Sequence, residues 1–118
     1  MQVVINHCHG GFGFSAKAEE ILTALLGEDG CYNLELYENR HNPILVALVK
    51  QMGKAVNGNF ANLEVCDIPD GLDYDIEEYD GYESVIPYLG VTEEELRNGL
   101  SEERFSLLKY TNIIRVKY

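Results

Sequence analysis

The chain has 118 residues, enough for one hydrophobic core and too few for two independent domains. Its hydrophobic fraction of 46% and charged fraction of 25% are those of an ordinary soluble globular protein. A formal charge of −11 excludes general nucleic-acid binding, because that affinity comes largely from Lys and Arg neutralising phosphates.

Gln2 to Asn6 reads as a buried strand, a short β-branched run. It leads through His7-Cys8-His9 into Gly10, Gly11 and Gly13, and Ser15 is placed to cap a helix that runs to about Leu26. Ala18, Ile21, Leu22 and Leu25 give this helix one apolar stripe, and Gly27 stops it. Cys31 to Tyr37 is predicted as a second strand. Asn42 as cap and Pro43 at the first turn then open a second helix, which Asn57-Gly58 ends. Leu63 to Ile68 is the third predicted strand.

This alternation predicts an α/β fold, with a small, mainly parallel sheet, flanking helices and right-handed crossovers. The next segment differs: Asp67 to Glu83 holds eight acids and no Lys or Arg. Asp80-Gly81, between Tyr79 and Tyr82, predicts a tight acidic β-hairpin. In that register Glu78 faces Glu83, an unfavourable pair unless a cation or solvent intervenes. A helical C-terminal extension follows, with a capping box at Thr92 and Glu95, a break at Asn98-Gly99, a short helix from Ser101 and a final strand from Asn112 to Lys117. No apolar run approaches the roughly 18 residues of a membrane span, and the basic-then-apolar layout of a signal peptide is missing, so the cytosol is the expected compartment. Cys8, Cys31 and Cys66 show no C-x-x-C spacing and are expected to be free, buried thiols rather than disulfides.

Met1-x-Val3-Val4-Ile5-Asn6-x-Cys8-x-Gly10-Gly11-Phe12-Gly13-Phe14-Ser15 resembles the opening of a family of small proteins of tailed bacteriophages and prophages. The likeness continues through Arg40-His41-Asn42-Pro43, Asn57-Gly58, Leu63-Glu64-Val65, Ile68-Pro69-Asp70 and Ile76-Glu77-Glu78-Tyr79-Asp80-Gly81. It divides the single domain, residues 1–118, into a family-like core of 1–87 and an extension of 88–118. Asn42 stands where the family usually has Asp. The resemblance implies a phage protein acting in the host bacterial cytoplasm, and no established chemistry.

Gly11-Phe12-Gly13-Phe14-Ser15-Ala16 fits G-x-G-x-x-A after a strand, a geometry whose backbone amides can converge on an anion. A dinucleotide dehydrogenase is excluded, because 118 residues cannot hold the second nucleotide half and a substrate domain. The expected ligand is a nucleotide-derived small molecule, bound by Asn6, His7, His9, the amides of Gly10, Gly11 and Gly13, the rings of Phe12 and Phe14, and Ser15. Lys17, Arg40 and His41 are the candidates for phosphate charge and the rim of the site. Successive side chains on a strand point to opposite faces, so His7, Cys8 and His9 cannot all chelate one ion, and neither a metal nor a cofactor is expected. Neighbouring Cys8 and histidine do not establish a catalytic geometry, and the acidic segment lacks the EF-hand spacing. The expected function is therefore non-enzymatic capture of a bacterial immune signal, an anti-defence role, with self-association through the Tyr-rich segment as a side expectation. Two alternatives stand beside it: an acidic inhibitor that binds a host enzyme or defence protein directly, and a small nucleotide-processing enzyme.

Overall fold

The computed structural model describes residues 1–118. Its organising element is β1 (Gln2–Asn6), a strand buried on both faces. Val4 points into one core with Phe14, Ala18, Leu22, Leu34, Leu45 and Val49. Val3 and Ile5 point into a second core with Ile68, Leu72, Ile76, Leu89 and Val91. A fully buried aliphatic side chain contributes about 1.5–3 kcal/mol, so these three residues bind the two halves of the molecule together.

The first core lies under two helices, α1 (Ala16–Leu26) and α3 (Pro43–Met52). The predicted caps are present: Ser15 Oγ accepts from Ala18 N at 3.2 Å, and Asn42 Oδ1 accepts from Ile44 N at 2.8 Å. Between these helices the expected second strand is not formed. Residues 31–37 belong instead to a short helix, α2 (Gly30–Glu35), and a 3-10 turn at Tyr37–Asn39. The apparent alternation of Tyr32, Leu34 and Leu36 misleads, because Tyr32 is exposed and Leu34 is the buried side chain. Helical spacing instead puts Cys31 and Leu34 together on the first core.

The mainly parallel sheet is therefore not formed. β2 (Leu63–Asp67) pairs with β1 antiparallel, in the register Val4 opposite Val65. The chain after α3 runs back alongside the glycine loop, with Gly58 N donating to Gly13 O at 2.9 Å and Ser15 N to Val56 O at 2.9 Å. It thus reaches β1 from the wrong end for a crossover. The other edge of β1, where a second parallel strand would sit, is filled by Arg40 and Glu83. Val4 N donates to Arg40 O at 2.8 Å, Arg40 Nη1 to Val4 O at 3.3 Å, and Asn6 N to Glu83 Oε1 at 2.8 Å. The architecture is mixed α/β: this antiparallel pair, and a separate three-stranded sheet.

That second sheet has the order β3-β4-β5. β3 (Asp73–Tyr79) and β4 (Tyr82–Thr92) form the expected hairpin, turning at Asp80-Gly81 with φ values of 49° and 84°. Both values are positive, as a type I′ turn requires. Glu78 lies opposite Glu83, and the cation demanded by that register is Arg40. The tail forms α4 (Glu93–Asn98), α5 (Glu102–Ser106) and β5 (Ile114–Lys117), the last parallel to β4. Thr92 and Glu95 make the expected capping box. Arg104, donating to Glu95 Oε2 at 2.6 Å, holds that carboxyl below its ordinary range. No helix is long and apolar enough to cross a membrane.

Candidate functional site

Asn6 and Arg40, both expected at a ligand, are instead the centre of a buried polar knot. Arg40 is 1% exposed and Glu83 3% exposed. The guanidinium meets the carboxylate in a two-pronged contact, Nη1 to Oε1 at 2.6 Å and Nη2 to Oε2 at 2.9 Å, while Nε donates to Glu35 O at 2.9 Å. Its flat face lies 3.8 Å from the Phe12 ring centre. Asn6 Nδ2 donates to Cys8 O at 2.7 Å and Gly81 O at 2.8 Å, and Asn6 Oδ1 accepts from Asn62 N at 2.8 Å. No buried side-chain polar atom in the molecule is without a partner. Arg40 is therefore committed to holding the fold, and the expectation that it takes a phosphate is corrected.

The rings of the glycine loop are engaged in the same way. Phe14 is buried in the first core, and Phe12 packs edge-on against it with ring centres 5.2 Å apart. Phe14 presents no face to a base, and one face of Phe12 is covered by Arg40. Gly11 N donates to Cys8 O at 3.4 Å, and Ser15 is occupied as the helix cap. The loop is pinned on two sides: a Cβ on Gly10 would fall 2.1 Å from Phe60 Cβ, and one on Gly81 would fall 2.5 Å from His9 O. Gly11 and Gly13 border open space. Lys17 is exposed on α1 and pairs loosely with Glu20 at 3.8 Å. His41 sits apart from the loop. The Tyr74 hydroxyl donates to Tyr37 O at 3.0 Å, so at 2.8 Å it is His41 Nδ1–H that donates to Tyr74.

The structure does bring His7 and His9 to the hairpin. His7 stacks on Tyr82 with centres 5.1 Å apart at 14°, and its Nδ1 lies 2.6 Å from Glu64 Oε2. His9 lies 5.3 Å from Tyr82 and 6.3 Å from Tyr79. No group of three or more His, Cys, Asp or Glu side chains is arranged to hold a metal ion. Burial and nearby carboxylates push the thiols of Cys31 and Cys66 up, which disfavours the nucleophilic thiolate at both.

What the hairpin presents outward is a two-row surface. Ile76 and Glu83 are buried, so the alternating residues Asp73, Asp75, Glu77 and Tyr79 face the other way. Their cross-strand partners are Tyr88, Ile86, Ser84 and Tyr82. A row of carboxylates thus runs beside a row of mainly aromatic and apolar side chains. Tyr79 is 80% and Tyr82 38% exposed at the tip, beside a hollow of about 270 Å³ that His9, Glu77 and Ser84 help to line. A longer groove of about 530 Å³ follows the edge of β3, between Tyr37, Glu38 and His41 on one side and Asp75, Tyr88 and Arg115 on the other. The tyrosines and acids were legible as a cluster in the sequence, whereas Phe60, Glu64 and Arg115 carried no local signal.

Phe60 puts an exposed ring beside Gly10 of the glycine loop. It is 79% exposed at φ 63°, a left-handed conformation that a bulky residue seldom adopts. Because Asn tolerates that conformation, Phe60→Asn is expected to raise stability by about 0.5–1 kcal/mol in urea denaturation. A lower urea midpoint would show that the ring contributes more by packing than its backbone loses. No protein-family model, curated protein or solved structure matches the chain.

Proposed function

We propose that this chain is a binding protein rather than a catalyst, and that the outer face of its hairpin occludes a positively charged site on a partner protein. The observation that carries this reading is the pair of rows on that face, Asp73, Asp75 and Glu77 beside Tyr88, Ile86 and Tyr82. Tyrosines give large contact area for little conformational entropy, and they are enriched in interfaces. The acids supply complementarity to a basic surface, and a chain charge of −11 steers the encounter. The resemblance of the first 87 residues to phage proteins supports a bacterial host enzyme or defence protein as the partner, bound as an inhibitor in the host cytoplasm.

The test is retention of a bacterial protein on the immobilised full chain, compared with Tyr79→Ala and Tyr82→Ala. An anchoring tyrosine at the centre of the contact should cost about 2 kcal/mol or more when truncated, roughly a thirtyfold loss of affinity. Retention should also fall as salt rises. Equal retention by wild type and both variants would place the interface elsewhere.

A second reading, capture of a nucleotide-derived signal without chemistry, is favoured by one observation. Gly11 and Gly13 open onto empty space, Gly11 beside the hairpin turn that carries the His7–Tyr82 stack. With Arg40 buried, Lys17 and the histidines would have to supply the phosphate charge. In a thermal-shift panel of nucleotides, cyclic dinucleotides and ADP-ribose derivatives, a hit recovered intact after denaturation would favour this reading. A chemically altered ligand would favour an enzyme.

A further inference from the structure

The carboxylate row is already half occupied by the chain itself. Two basic side chains of β5 cross over the central strand β4 and end on β3. Arg115 passes over the Tyr88 ring, its guanidinium 4.5 Å from the ring centre, and pairs with Asp75. Lys117 passes over Gly90 and meets Asp73 at 2.7 Å. Gly90 is what permits this crossing, because a Cβ there would lie 2.1 Å from Lys117 Cε.

β5 is otherwise lightly held. Of its side chains only Val116 packs on the second core, while Ile114, Arg115 and Lys117 are exposed. Its backbone pairs with β4 over four positions, from Leu89 opposite Ile114 to Thr92 opposite Lys117. Ion pairs as exposed as these are worth about 0–1 kcal/mol each. The helices that connect β5 to β4, α4 and α5, bury no residue fully.

Resting on the interface reading above, we infer that β5 is a self-held stand-in for the partner. The place it fills accepts an extended segment that runs parallel to β4 and carries basic residues two positions apart. The first base stacks on Tyr88 and pairs with Asp75, and the second lies in the Gly90 channel and pairs with Asp73. Charge complementarity and the seated β5 both specify that occupant. Binding of the partner then displaces β5, so the free chain is held in a partly self-blocked state. Glu77, Tyr79 and Tyr82, beyond the reach of β5, are left to make first contact.

The experiment uses the full chain and its R115Q/K117Q variant, with a labelled peptide of residues 111–118 as probe and the same peptide with both basic residues changed to Gln as control. Hydrogen exchange at the amides of residues 114–117 reports whether β5 has been released. The basic peptide should bind the variant about fivefold or more tighter than the wild type, as expected from removing two surface ion pairs that compete with it. The control peptide should bind the variant about fivefold or more weaker than the basic one, and D73N/D75N in the variant should weaken the basic peptide by a similar factor. Gly90→Ala crowds the channel for the peptide's lysine as it does for Lys117, and added to the variant it should lower peptide affinity. Equal or absent binding with β5 released overturns the proposal, and so does unchanged protection of β5 in the variant. A dimer that exchanges β5 between copies would overturn the commitment to a foreign segment. None of these outcomes touches the tyrosine test, so failure of the stand-in and failure of the interface are read separately.

Discussion

Arg40→Met or Glu83→Gln should each lower the unfolding free energy by about 3–5 kcal/mol, because either one strands a buried charge. The size follows from the surroundings. Both groups are almost fully enclosed, and the guanidinium also donates to the carbonyls of Val4 and Glu35. Replacing a buried ion pair with apolar residues is often nearly neutral, but not here. An Arg40→Met/Glu83→Leu double variant would leave the Asn6 amide without its carboxylate and the Val4 carbonyl without its guanidinium. Each orphaned backbone group costs about 1–3 kcal/mol, so the double variant should remain destabilised. Urea denaturation of Arg40→Met, Glu83→Leu and the double variant gives the coupling directly. A loss below about 1 kcal/mol in both single variants would mean that water reaches the pair.

Asn6→Asp is the second large effect, and its size depends on pH. The amide nitrogen donates to two carbonyls, Cys8 O and Gly81 O, which would face an acceptor after the substitution. Leaving buried acceptors unmatched costs about 1–3 kcal/mol each, so a loss of about 2–4 kcal/mol is expected at neutral pH. Burial and the neighbouring Glu83 disfavour the new carboxylate, which raises its folded pKa above the unfolded value of about 3.9. A proton held more tightly in the folded state stabilises it below the unfolded pKa, and that contribution is lost as pH rises through the folded one. The variant should therefore recover part of its stability relative to wild type between neutral pH and about pH 4. A difference from wild type that is flat across that range would place the new side chain in solvent.

Local chemistry was the legible part of this chain. Ser15, Asn42-Pro43 and the Thr92–Glu95 pair announce helix starts because each satisfies backbone amides within three residues. Asp80-Gly81 announces its hairpin and even the Glu78–Glu83 register, since a type I′ turn leaves one pairing. Partners distant in sequence were not legible. Arg40 and Glu83 are 43 residues apart, and a loop arginine before a helix reads as a solvated or ligand-binding cation. The clash between Glu78 and Glu83 was the one hint that a cation had to arrive from elsewhere. The glycine loop misled for a related reason. Its glycines allow close approach, but what approaches is the chain's own Gly81 and Phe60. With a helix at 31–37 in place of a strand, β1 is left paired with β2 alone, and that pair is antiparallel.

β1 as a wall shared by both cores has a consequence for biosynthesis. Val3, Val4 and Ile5 leave the ribosome well before the residues that cover them, since β2 arrives some 60 residues later and Glu83 not until 77 residues after Asn6. Contacts that bridge such separations form slowly, and until they do an apolar strand edge is available to any other chain. A nascent chain halted before the hairpin would carry that edge uncovered. β1 and the glycine loop after it should then be the segment that chaperones protect and proteases find.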